Sequence, residues 1–124
     1  MDITNIKATS RKVEIVHPET EERIGLRINL LPDTDPKVKK VQRAVQDKQF
    51  AKRKLKLTAA QLEANSFEQL VAAVDGWDWY GEADFNGEKP EFTEDNVRKV
   101  LEQAVFIREQ LMDEFNNRES FYQG

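Results

Sequence analysis

The sequence contains no cysteine and only one histidine, His17. The absence of thiols excludes disulfide bonds and cysteine-ligated zinc, and it is compatible with a reducing compartment. His17 has no second histidine or cysteine with which to complete a metal site or a catalytic triad. The carboxylates lie in no visibly apolar stretch that would prepare them for acid–base catalysis. We therefore expect no enzymatic activity and no catalytic, cofactor-binding or metal-binding residues.

Long apolar runs are also missing. Residues 1–11 hold no stretch of the kind found in a signal peptide or a membrane span, so we expect a cytoplasmic protein without membrane contact. Apolar residues make up 39% of the 124 residues and charged residues 34%, which predicts a thin core. The length predicts a single domain spanning residues 1–124.

Charge is unevenly distributed, although the formal net charge is only −4. Residues 37–56 carry nine basic and one acidic side chain, whereas residues 57–124 carry five basic and fifteen acidic ones. A basic segment attracts nucleic acid, but only Phe50 interrupts the bases and no nucleic-acid module is recognisable, which disfavours that function. The segment is then a solvated face, or it pairs with the acidic part of its own chain or of a second copy in a homo-oligomer.

Two alternating segments, residues 11–17 and 23–30, predict a β-hairpin within residues 1–34. Residues 35–75 are predicted to be helical. Asp35 and Pro36 supply a cap and a first-turn proline for a basic helix that runs to about Lys54. A second helix is expected from Thr58 to Val74, with a break near residue 65 as the alternative, and Gly76 is expected to cap its end.

Residues 76–92 are predicted to form an aromatic loop that turns at Asn86 and Gly87. Thr93 is a helix cap followed by two acids, so a last helix is expected over residues 93–122. Its predicted buried face excludes Phe106 and comprises Val97, Val100, Leu101, Ala104, Ile107, Leu111, Met112 and Phe115. The fold class is therefore α+β: an N-terminal β-hairpin followed by three main helices, with the aromatic loop before the last.

The acidic residues around Gly87 do not match an EF-hand calcium loop. With Gly87 as the sixth residue of such a loop, the twelfth residue is Thr93, which cannot supply the carboxylate that binds the ion.

Turn, cap and aromatic residues occur in a distinctive order within about residues 70–122: Val74, Gly76, Trp77, Gly87, Pro90, Phe92, Thr93, Phe106 and Phe121. This part of the chain resembles the small tail assembly chaperones of long-tailed bacteriophages. In that family a helix leads to a Val-x-Gly-Trp sequence, a loop with a turn glycine and a Pro-x-Phe-Thr helix start. An aromatic residue inside the last helix and a phenylalanine near the C-terminus complete the pattern.

The resemblance implies a non-enzymatic protein of the bacterial host cytoplasm that keeps the tape-measure protein soluble and brings it to tail-tube protein during assembly. Family members often also occur as a longer frameshifted product. The sequence has no such extension, so the resemblance implies the short form. A structural tail component of the virion is the alternative function, and a nucleic-acid binding module is a weaker one.

Exposed aromatic side chains are typical anchors of protein interfaces. We therefore expect contact with a partner protein at Trp79, Tyr80, Phe106, Phe121 and Tyr122. For Trp79 and Tyr80, packing within the fold is an equal alternative, and Phe106 has the same two interpretations. Trp77 is expected to pack onto the core beneath the loop.

Overall fold

A computed structural model describes residues 3, 6–51, 59–117 and 121–122. Three strands form an antiparallel sheet, and helices complete an α+β fold, as predicted. The elements in chain order are β1 Arg11–Val16, β2 Arg23–Leu30, α1 Pro36–Ala51, α2 Ala59–Ala73, β3 Val74–Trp79, α3 Glu94–Gln103 and α4 Val105–Asn116.

The predicted hairpin is formed by β1 and β2, with Val13 opposite Ile28. Alternating residues of β2 turn Leu26, Ile28 and Leu30 towards the core, where they are fully buried. The connecting loop is organised by His17, whose backbone carbonyl accepts from Glu21 and whose Nδ1 accepts from the Glu19 amide at 3.1 Å. The lone histidine therefore has a structural role in an exposed turn.

The start of the predicted aromatic loop is instead a third strand. β3 pairs with β2, which becomes the central strand, and Trp77 lies opposite Ile28. Gly76 is not a helix cap, since it lies inside β3 opposite Asn29. The end of α2 is satisfied differently, because the Leu31 amide donates to the carbonyl of Ala73 at 2.7 Å. The prediction was wrong here because β2 supplies an edge for pairing, and Leu31, the residue after β2, supplies the donor that a helix cap would otherwise provide.

The rest of the loop contains the predicted tight turn. Asn86 and Gly87 both have positive φ, 54° and 87°, as a type I′ turn requires. Phe85 and Glu88 flank them as an isolated antiparallel bridge. The dipeptide Asn-Gly thus has the conformation that its chemistry favours.

The predicted helices are present, but their ends differ from the predictions. α2 ends at Ala73, since Val74 begins β3, and α4 ends at Asn116, before the predicted end at residue 122. Asp35 Oδ1 accepts from the amide of Lys37 at 2.9 Å at the start of α1, and Thr93 caps α3 by accepting from Asn96 at 3.1 Å. α2 is continuous, so the alternative break near residue 65 is absent. The predicted start at Thr58 and the predicted end at Lys54 lie outside the described residues.

The predicted last helix is interrupted at Ala104, whose φ and ψ of −101° and 81° are not helical. The carbonyl of Ala104 still accepts from Ile107, so α4 begins immediately. The predicted apolar face is inside on both sides of the interruption. Its buried members are Val97, Val100, Leu101, Ile107, Leu111 and Phe115, while Ala104 and Met112 are partly buried against the core.

One cluster of buried side chains joins the sheet to the helices and includes Ile15, Leu26, Leu70, Leu101 and Leu111. The helices pack on the sheet face that carries Ile28 and Trp77. The opposite face carries Glu14, Arg27 and Asp78, which are partly or fully exposed. The sheet therefore has one apolar and one polar face.

Candidate partner-binding surfaces

The aromatic residues around β3 form a stack of edge-to-face contacts. The ring centroids of Trp77 and Trp79 are 5.6 Å apart, and those of Trp77 and Phe92 are 5.8 Å apart. Trp77 Nε1 donates to the carbonyl of Pro90 at 3.1 Å, which ties the loop to the strand. Trp77 is half-buried against the core, in agreement with its predicted packing role. Phe92 ends the stack with 44% of its surface exposed.

Trp79 lies opposite Leu26 and is half-buried against the core. Its indole Nε1 is buried, and no group in the described part of the chain accepts a hydrogen bond from it. An unpaired buried donor costs free energy, so this ring is less well accommodated than Trp77. The internal packing alternative for Trp79 is thus realised, with only part of the ring left for a partner.

Tyr80 projects from the other face of the sheet. Its hydroxyl donates to Glu14 Oε2 at 2.6 Å, and Arg27 lies 5.2 Å from its ring centroid. Arg27 Nη2 also donates to Glu14 Oε1 at 3.2 Å. The hydrogen bond from Tyr80 is the largest cause that lowers the pKa of Glu14, and the same bond raises the pKa of Tyr80. Tyr80 is therefore engaged within the fold and does not share a surface with Trp79.

Phe121 and Tyr122, which were also predicted to contact a partner, differ in their exposure to solvent. Phe121 is only 2% exposed and belongs to the core, which corrects its assignment to an accessible surface. Its backbone carbonyl accepts from the amide of Thr9 at 2.9 Å. Tyr122, beside it, is 52% exposed. The tail thus buries one ring against the N-terminal segment and presents the other to solvent.

Phe106 is half-buried and packs against the core, so its internal packing interpretation is realised. It still lies off the face of α4 that carries Ile107 and Leu111, since these residues share one helix. It is partly covered because another side of α4 packs against β1. Phe106 lies in a shallow depression of about 420 Å³ between β1 and α4, lined by acids that include Glu109 and Asp113. Arg11 compensates part of this charge through an ion pair with Glu114 at 2.8 Å.

Sequence reasoning missed a groove of about 430 Å³ between α1, α2 and α3, which we name the α1–α3 groove. The residues that line it are Lys37, Lys40, Val41, Ala44, Glu68, Val71, Ala72, Val74, Phe92, Thr93, Glu94, Val97 and Arg98. Its floor is apolar and its edges are charged. The sequence signal that could have indicated this groove is the narrow apolar stripe of α1. A helix with such a stripe cannot fully cover the helices beside it.

The two walls of this groove differ in charge pairing. On the α3 wall, Arg98 binds Glu68 through two hydrogen bonds of 2.6 and 2.7 Å, and it also binds Glu94 at 3.1 Å. These partners raise the pKa of Arg98. On the α1 wall, Lys37 and Lys40 have no ion pair within the described residues. Among the described residues, the α1 wall therefore presents two lysines that form no ion pair.

Two further features bear on function. Among the residues with described positions, no three histidine or carboxylate side chains form a group that could hold a metal ion. Within the same residues, every helix is too short or too polar to cross a bilayer.

Comparison with protein-family models, with curated proteins and with solved structures found no match.

Proposed function

We propose that this chain is a phage or prophage tail assembly chaperone that binds the tape-measure protein in the cytoplasm of the bacterial host and catalyses no reaction. The observation that carries this proposal is the order of motif residues along the sequence from Val74 to Phe121. Its turn glycine, Gly87, and its capping residue, Thr93, perform the local roles that their order in the resemblance implies.

Surface character supports a role in protein binding. Phe92 and Tyr122 are large apolar side chains exposed to solvent, and Phe92 continues into the α1–α3 groove. Aromatic side chains beside an apolar depression are typical of surfaces that bury a partner's side chains. A chaperone that keeps an aggregation-prone polypeptide soluble needs such a surface on an otherwise highly charged molecule.

The direct test is co-expression of this chain with a tape-measure protein from the same phage or prophage. We expect the tape-measure protein to become soluble and to co-purify with this chain. An unrelated acidic protein of similar size serves as the control. If the tape-measure protein remains in the insoluble fraction, the chaperone proposal fails.

A second measurement separates the chaperone from a structural tail component. Mass spectrometry of purified virions should detect the tape-measure protein but not this chain, because an assembly chaperone leaves the finished particle. Stoichiometric presence of this chain in the virion would favour the structural role instead.

A further inference from the structure

We propose that the α1–α3 groove binds an amphipathic helix of the partner protein that carries acidic side chains along one flank. This inference rests on the proposed function, and it adds where the partner binds and which chemistry is recognised. Three observations carry it: the apolar floor, the different charge pairing of the two walls and the helical spacing of the α1 residues that line the groove.

The floor accepts apolar side chains. Val71, Ala72 and Val97 lie beneath the opening, with Phe92 at its edge. Ala44 and Ala72 are small, so a partner's side chains can approach the helix backbones closely. The volume of about 430 Å³ is sufficient for a few large apolar side chains. Burial of each such side chain contributes roughly 1.5 to 3 kcal/mol before the costs of association.

The charged residues on the groove walls determine which side of the bound helix carries acidic side chains. Lys37 and Lys40 stand along the α1 wall without ion pairs in the described part of the chain. On the opposite wall, Arg98 binds both Glu68 and Glu94, so the positive charge there is already paired. Acidic side chains are therefore favoured beside α1.

The geometry favours a helix over an extended segment. Lys37, Lys40, Val41 and Ala44 line the groove at the spacing of one helical face, over two turns of α1. Seven residues of a helix rise about 10 Å, so the wall matches two turns of a partner helix. Such a helix presents apolar side chains at i, i+3 or i+4, and i+7, which is the pattern that helix-binding grooves recognise.

The test uses a fluorescein-labelled peptide of about four helical turns. It carries leucines on one face and glutamates on one flank, and its matched control has lysines in place of the glutamates. Binding to the full chain is measured by fluorescence anisotropy. The wild-type chain should bind the acidic peptide saturably and the basic peptide more weakly.

Charge reversal on α1 supplies matched variants. K37E/K40E should weaken binding of the acidic peptide by about tenfold or more, because two attractions become repulsions. K39E/R43E changes the net charge equally, but its positions lie on another face of α1, outside the groove lining. It should alter affinity by less than about twofold. Ala44→Trp, which fills the groove without a charge change, should also abolish binding.

Three outcomes would contradict the proposal, and each has a different meaning. Equal weakening by both double variants would mean that the charge of the whole helix, and no particular groove, attracts the peptide. Absence of saturable binding to the wild-type chain would also overturn the proposal. A wild-type dimer that K37E/K40E converts to a monomer in sedimentation would identify a second copy of this chain as the occupant.

The same variants separate this inference from the proposed function. If the wild-type chain solubilises the tape-measure protein and K37E/K40E does so equally well, the groove assignment fails while the chaperone proposal survives. If the acidic peptide binds the groove but the tape-measure protein stays insoluble, the chaperone proposal fails and the recognition chemistry stands.

Discussion

The side-chain amide of Gln110 bonds both backbone groups of Val16. Its Oε1 accepts from the Val16 amide at 3.0 Å, and its Nε2 donates to the Val16 carbonyl at 2.7 Å. A residue of α4 thereby takes the place that a neighbouring strand would occupy at the free edge of β1. Because exposed sheet edges pair readily with other chains, this contact both anchors α4 and protects the edge.

Replacement of Gln110 by alanine should therefore destabilise the protein by about 1 to 2 kcal/mol, since two partly buried backbone groups lose their partners. Urea unfolding measures the change, and hydrogen exchange at the Val16 amide should accelerate. Glu109→Ala, an exposed neighbour, is the control and should change stability by less than about 0.5 kcal/mol. Unaltered exchange at Val16 would contradict this account of the edge.

Gly25 has no room for a side chain. Its φ is +100°, and a Cβ would overlap the carbonyl oxygen of Tyr80, whose amide donates to the Gly25 carbonyl at 2.8 Å. Gly25→Ala should cost about 3 kcal/mol or more, because both the backbone strain and the overlap must be relieved. Thermal unfolding provides the measurement.

Gly81→Ala is the matched control for Gly25→Ala. Gly81 also has positive φ, +63°, but nothing lies within 4 Å of a Cβ placed there. Only the strain of a positive φ at alanine remains, so we expect Gly81→Ala to lower the free energy of unfolding by about 1 kcal/mol. Equal costs at the two positions would mean that the Tyr80 carbonyl moves away easily.

The neighbouring rings of Phe121 and Tyr122 should respond differently to truncation. Phe121→Ala removes a core ring and should destabilise by about 3 kcal/mol or more, whereas Tyr122→Ala should cost less than about 0.5 kcal/mol. Chemical denaturation of both variants tests the difference. If Tyr122→Ala weakens capture of the tape-measure protein while stability is unchanged, its predicted contact role gains support. A stable Phe121→Ala variant would contradict the core position of that ring.

The hydrogen bond between Tyr80 and Glu14 should make stability depend on pH. Since this bond lowers the pKa of Glu14 from its ordinary value of 4.5, the associated stability is present above pH 4.5 and is lost as the pH falls through the lowered pKa. Tyr80→Phe should raise the pKa of Glu14 and reduce this acid-dependent loss. NMR titration of the Glu14 carboxyl, together with unfolding at several pH values, measures both effects.

At alkaline pH the stability that Tyr80 contributes falls as the pH rises, which is the opposite direction to that for Glu14. The pKa of Tyr80 is raised from 10.0, so its contribution is present below pH 10 and is lost as the pH rises through the raised value. Tyr122→Phe is the control because Tyr122 is exposed and near the terminus. An identical pH profile for Tyr80→Phe and the wild-type chain would contradict the coupling.

Local chemistry in the sequence was sufficient for several elements. The alternation of Arg23–Leu30 predicted β2, because one face of a pleated strand must be buried. Asn86 and Gly87 predicted their turn, and Thr93 predicted a helix start, because these residues satisfy local backbone requirements without distant partners. The buried face of the last helical region followed from helical periodicity.

Other features required the assembled fold. β3 became a strand because the free edge of β2 was available, and the Leu31 amide satisfied the end of α2 without a glycine cap. The break at Ala104 carries no glycine or proline signal. Phe106 is partly covered because α4 packs against β1, a contact that helical periodicity does not reveal. Once β3 pairs with β2, the alternation of a strand places the consecutive residues Trp79 and Tyr80 on opposite faces of the sheet.

By itself, then, the sequence determined the fold class, the hairpin, the turn and the apolar helix faces, since these depend on periodicity and on neighbours within a few residues. Only the tertiary structure decided which aromatic rings stay accessible and where the α1–α3 groove opens. Both depend on how helices far apart in the chain pack together, and hydrophobic patterning specifies which faces are buried but not which of them meet.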